Sequence, residues 1–117
     1  MAKLRMEFTF DEEALRRNGY GKEQLYDIVK SDYEKNGLKC ISDDDVLAFA
    51  DQGSRWDYGN MWAITLAFLE CEWFADSLLS CLYFQNDLAE DLLPQLPRMR
   101  EILERNRRRR TLKAHER

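Results

Sequence analysis

Residues 4–10 alternate strictly. Leu4, Met6, Phe8 and Phe10 are apolar, and Arg5, Glu7 and Thr9 stand between them. A strand turns successive side chains to opposite faces, so this spacing predicts a half-buried strand with one face on the core and one toward water. Everything downstream has to supply that strand with pairing partners and a covering layer. Asp11 then predicts a cap for a short helix through Arg17, with Glu12 and Glu13 at its positive end and Asn18-Gly19 as its stop. Leu25, Ile28, Val29 and Tyr33 recur at helical spacing and predict a helix from about Lys22 to Lys35, ended by Asn36-Gly37.

Leu38–Ile41 and Val46–Ala50 are apolar runs on either side of Ser42-Asp43-Asp44-Asp45, which reads as a hairpin closed by an acidic turn. Ser54 followed by Asp57 fits a weak capping box, with Asp in place of the usual Glu. It introduces a predicted helix over 56–74. Met61, Trp62, Ile64, Leu66, Phe68 and Leu69 wrap most of that helix, and a helix apolar nearly all round is expected at the centre of a fold. Residues 78–84 read either as more helix or as a strand covered on both faces. The aromatic ending and the Asn86-Asp87 break favour the strand. A last helix is predicted from Pro94 or Pro97 through Met99, Ile102 and Leu103 into the arginines. The resulting class is α+β, a ferredoxin-like β-α-β-β-α-β sheet with an added C-terminal helix.

Charge divides the chain in two. Residues 1–97 carry 9 Lys/Arg and 19 Asp/Glu, a net of −10, whereas residues 98–117 carry 9 and 3, a net of +6. The two parts sum to the formal −4 of the whole chain. The expected organisation is therefore one acidic α+β domain over 1–97 and a basic helix or arm over 98–117. Such an arm suits a polyanion or an acidic surface. Arg105, Arg107, Arg108, Arg109 and Arg110 are its candidate nucleic-acid contacts, and their binding would weaken steeply with salt.

Several chemistries lack their residues. The single histidine, His115, lies in the polar C-terminal stretch, so a Cys–His or Ser–His nucleophile has no base. Cys40, Cys71 and Cys81 have no CxxC spacing and read as reduced, buried, small hydrophobes of a cytosolic protein. The acidic turn lacks calcium-loop spacing, and Gly19-Tyr20-Gly21 lacks the rest of a phosphate loop. No metal or other cofactor is expected. The alternating face bearing Arg5, Glu7 and Thr9 offers no stacking ring for RNA. There is no signal peptide, and no apolar run approaches the ~20 residues of a membrane span. The expectation is a non-enzymatic cytoplasmic protein.

The stretches Met6-Glu-Phe-Thr-Phe-Asp-Glu-Glu-Ala-Leu, Asn18-Gly-Tyr-Gly-Lys-Glu-Gln-Leu-Tyr and Glu72-Trp-Phe resemble small uncharacterised proteins of bacterial mobile elements, of the conjugative-transposon type. The resemblance covers most of residues 4–85. It implies no catalytic residues. It does imply a setting in which small acidic proteins regulate transfer or block host defences, as anti-CRISPR-like inhibitors do, some by mimicking DNA.

The leading expectation is thus a protein-binding accessory or inhibitor module whose acidic body meets a basic partner surface. Its candidate contacts are Trp56, Asp57, Glu72, Trp73, Asp43, Asp44 and Asp45, since an exposed Trp beside carboxylates is a common anchor type. The alternative is a nucleic-acid accessory protein working through the arm. A third expectation is self-pairing into a homodimer.

Overall fold

The computed structural model describes residues 3–115, without the side chains of Leu103, Arg107 and residues 109–115. Five strands form one antiparallel sheet: β1 (Leu4–Phe10), β2 (Lys39–Asp43), β3 (Leu47–Ala50), β4 (Leu78–Gln85) and β5 (Leu88–Asp91), in the spatial order β2-β3-β1-β4-β5. The helices are α1 (Glu12–Arg17), α2 (Lys22–Lys35), α3 (Asp57–Leu69), α4 (Glu72–Ala75) and α5 (Leu96–His115), with one 3₁₀ turn at Leu93–Gln95. The fold is therefore α+β. Among the described residues, no helix is long and apolar enough to cross a membrane.

The alternation in β1 sets the layering. Met6 and Phe8 are fully buried and face Phe49 and Leu47 on β3 and Tyr83 and Cys81 on β4. Arg5 and Glu7 lie on the other face, where they pair at 2.6 Å with their side chains partly exposed. One face of the sheet is thus core; on the other, Ala48 and Ala50 of β3 are buried beside half-buried Arg5 and Glu7. The connection through α2 joins β1 to β2 across β3, and α3 joins β3 to β4 across β1. Both helices pack on the buried face, contributing Leu25, Val29, Tyr33, Met61 and Leu69 to the core.

The local signals worked at the helix ends. Asp11 accepts from the Glu13 N–H at 3.0 Å and caps α1. Gly19 and Gly37 both follow helix ends at φ +84°, a left-handed conformation that glycine adopts without steric cost.

Three expectations are corrected. The predicted helix over 56–74 is two helices. Cys71 is extended between α3 and α4, and the break drops Phe74 into the core against Phe8, Phe10 and Phe68 at 5.2–5.5 Å between ring centres. A fifth strand follows the Asn86-Asp87 turn, with Asn86 at φ 56°. Its Leu-Ala-Glu-Asp sequence is wholly exposed and has no apolar periodicity to betray it. Of the cysteines, only Cys81 is buried; Cys40 and Cys71 are half-buried, and all three are free thiols.

Candidate functional surfaces

The hairpin turn and α1 are distant in sequence, and the fold brings them to one end of the sheet. Tyr26 on α2 donates its hydroxyl to the Asp44 carbonyl at 2.8 Å. Burial raises its phenol above the ordinary value, and the negative charges of Asp44, Asp45, Asp43 and Glu12 raise it further. Lys22 lies 5.4 Å from the Tyr26 ring and reaches Glu12, so the turn and the start of α1 meet around Tyr26. Lys30 pairs with Asp43 at 2.8 Å, and Lys22 stands 3.9 Å from Glu12. Asp44 and Asp45 face solvent. The Asp44 carboxyl is held below its usual range, first by the Ser42 hydroxyl and then by backbone N–H groups of the turn. The Asp44 carboxylate is therefore held in place on the turn, with Asp43 and Asp45 exposed beside it. Among the described residues, no three His, Cys, Asp or Glu side chains come together to hold a metal.

Glu72 and Trp73 lie on α4. Trp73 is half-buried and stacks on Tyr20 at 4.2 Å, so its ring already has a partner. Glu72 is exposed and stands 3.8 Å from Arg100 at the root of α5. Trp56 caps the opposite end of α3. It is 64% exposed, with the Arg55 guanidinium 4.6 Å over its ring. A 13-residue helix is about 20 Å long, so Trp56 and Trp73 do not form one anchor.

Asp57 is a correction. Its side chain was expected on a docking surface, yet the residue is only 2% exposed. One carboxylate oxygen accepts from the backbone N–H of Gln52 at 2.7 Å and of Ser54 at 3.1 Å. Its role is to tie the loop after β3 to the first turn of α3. The Ser54 hydroxyl accepts from the Trp56 N–H, so the capping pair forms with its serine partner shifted by one residue.

Beside Trp56 lies a shallow cleft with Lys3, Asp51, Arg55, Tyr58 and Gln85 on its walls. Asp51 is spent there on the backbone N–H groups of Lys3 and Leu4, at 2.8 and 2.9 Å. Tyr58 is exposed, and nothing in its sequence neighbourhood distinguished it.

α5 is rooted by buried Leu96 and by Met99 against the core. Beyond Arg100, its described side chains through Arg108 are exposed. Arg105 and Arg108 bond to Glu101 and Glu104 one turn earlier, at 3.2 and 2.9 Å. The other predicted arm contacts, Arg107, Arg109 and Arg110, lie outside the described side chains, as does His115. Of the predicted contacts, the fold gathers Asp43, Asp44 and Asp45 with Glu12. It leaves Trp56 alone at the far end and seats Trp73 against the body. No family model matches the chain, and no curated protein matches it at a significant level.

Proposed function

We propose that this chain is a non-enzymatic, protein-binding accessory or inhibitor module whose acidic end docks on a basic surface of another protein. The observation carrying this reading is the exposed pair Asp44 and Asp45 on a turn that meets the start of α1 across Tyr26, with Asp43 and Glu12 beside Lys30 and Lys22, in a body of net −10. Carboxylates fixed on a hairpin turn and a helix start lose little freedom on binding, and their field speeds encounter with a cationic partner. The strand order β2-β3-β1-β4, with each crossover spanning one strand, supports the ferredoxin-like reading, with β5 added at the β4 edge. The reading includes a cytoplasmic setting and the mobile-element context that the sequence resembles.

The test is capture from a bacterial lysate with the wild-type chain and with a variant carrying Asp43→Asn, Asp44→Asn, Asp45→Asn and Glu12→Gln. A specific partner should be retained by the wild type and lost by the variant, and about 0.5 M salt should release it, since exposed charges are then screened within ~4 Å. Retention that survives neutralisation of the acidic end would sink the proposal.

The second reading, nucleic-acid binding through α5, is favoured by the exposed run of that helix beyond Arg100. Truncation after Leu103 should then abolish a gel shift. Against it, Arg105 and Arg108 each share their charge with a glutamate on the same helix.

A further inference from the structure

The α3 helix is apolar nearly all round, which suits a helix enclosed on every side. The structure encloses it on one side only. Ala63 and Ala67 are exposed, Ile64 and Leu66 are half-buried, and no charged residue lies between Asp57 and Glu70. Beside this face runs a groove of about 440 Å³. Asp32 and Asn36 on α2 form one wall; Ile64, Ala67 and Phe68 on α3 form the other, with Cys71 at its end. The groove floor is apolar, and among the described residues its one charged lining residue is a carboxylate, Asp32. Glu70 and Glu72 flank Cys71 in the chain, and both are exposed. An occupant has to offer an elongated shape, apolar or aliphatic contact, and positive charge.

We propose that this groove receives the basic helix α5 of a second copy of the chain, so that two copies exchange arms. The charges are opposite: residues 101–115 carry a net +4 with Glu101 and Glu104 counted, and the body −10. The groove runs along α3 from Ala63 to Cys71, about 13 Å, which takes roughly two turns of an arm that extends about 22 Å from Glu101 to His115. Arginine stems lie well on apolar surface while their guanidinium groups reach carboxylates, which suits a groove walled by Asp32 with exposed Glu70 next to its end. Ile102, 44% exposed just past the root of α5, adds an apolar contact. This is the helix-in-groove mode of recognition. The chain's own arm does not serve its own groove. α5 is a continuous helix fixed at Leu96, at Met99 and by Arg100 against Glu72, and turning back would break it. Reciprocal exchange about a two-fold axis uses both arms and both grooves and closes the pair. The groove lies on the helical layer and the acidic turn at the sheet end, so this contact is separate from the proposed partner surface.

The test is molar mass by light scattering on the full-length chain at about 50 mM salt, where the Debye length exceeds 10 Å. The expected mass is twice the 14.0 kDa of one chain. One variant, Ala67→Arg, blocks the groove at an exposed helical position that tolerates arginine. Another, Arg105→Glu with Arg107→Glu and Arg108→Glu, reverses the arm. Each alone should run as a monomer with unchanged circular dichroism. Mixing the two should restore a dimer, because one intact groove and one intact arm remain. A monomeric wild type, or a dimer that survives Ala67→Arg, overturns the proposal. The variant neutralised at Asp43, Asp44, Asp45 and Glu12 should still dimerise, which separates this result from failure of the partner-binding reading.

Discussion

Asp57 is worth more to the fold than its place in a polar loop suggests. Its buried carboxylate satisfies the backbone N–H groups of Gln52 and Ser54 in a partly buried site. Removing it leaves two partly buried donors without their partner, at the low end of the roughly 1–3 kcal/mol that each fully buried one costs. Asp57→Ala should therefore lower stability by about 2 kcal/mol, read as a fall of ~10 °C in Tm, with Asp57→Asn recovering part of the loss. Titration at the residue scale has a definite sign. Burial pushes the Cys81 thiol from 9.0 up to about 12, and burial raises the Tyr33 phenol as well. Both groups keep their protons in the fold after the unfolded chain has lost them. Their contribution is fully present below pH 9 and declines between pH 9 and 12. Urea midpoints should fall across that window, and Cys81→Ala should flatten the early part of the decline. A midpoint rising with pH there would contradict the assignment.

At the scale of elements, α4 shows how four residues can decide a core. Phe74 is fully buried and touches Phe8, Phe10, Phe68 and Trp73. Phe74→Ala should cost 3–5 kcal/mol, the range for truncating a buried aromatic, and a chemical-denaturation midpoint measures it. The apolar wrap from Met61 to Leu69 predicts one helix that continues through Phe74. The break at Cys71 has no glycine or proline to announce it; tertiary contacts of the phenylalanine ring override local propensity there. The strands divide the same way. β1 declares itself by alternation and β4 by its apolar run. β5 pairs with β4 through backbone bonds alone, and its exposed side chains carry no imprint of that pairing.

On the scale of the whole molecule, a compact chain of this length has a radius of gyration near 13 Å, against 15.2 Å here. The excess fits an α5 whose side chains between Glu101 and Arg108, where described, face solvent. Truncation after Leu103 should change Tm by less than ~2 °C in about 0.5 M salt, where attraction between arm and body is screened. A larger loss would mean that the arm stabilises its own body. The expected boundary near residue 98 falls inside this helix, because Leu96 and Met99 are packed and Arg100 is held by Glu72. Charge was legible in composition, whereas its placement was not. Asp43 to Asp45 and Glu12 are neighbours only because β1 and the β2–β3 hairpin share one end of the sheet.

Local spacing alone encodes the alternation of β1, the apolar stripe of α2, the caps at Asp11, Gly19 and Gly37, and the charge contrast between body and arm. Each depends on residues within a few positions of one another, where periodicity and backbone preference act directly. The burial of Asp57, the cover of Tyr20 over Trp73, the pairing of β5 and the open face of α3 beside a groove arise only in the folded chain. Those outcomes depend on which distant surfaces meet. They are settled by packing and by the pairing of backbone groups across the sheet, and neither leaves a local signature in the chain.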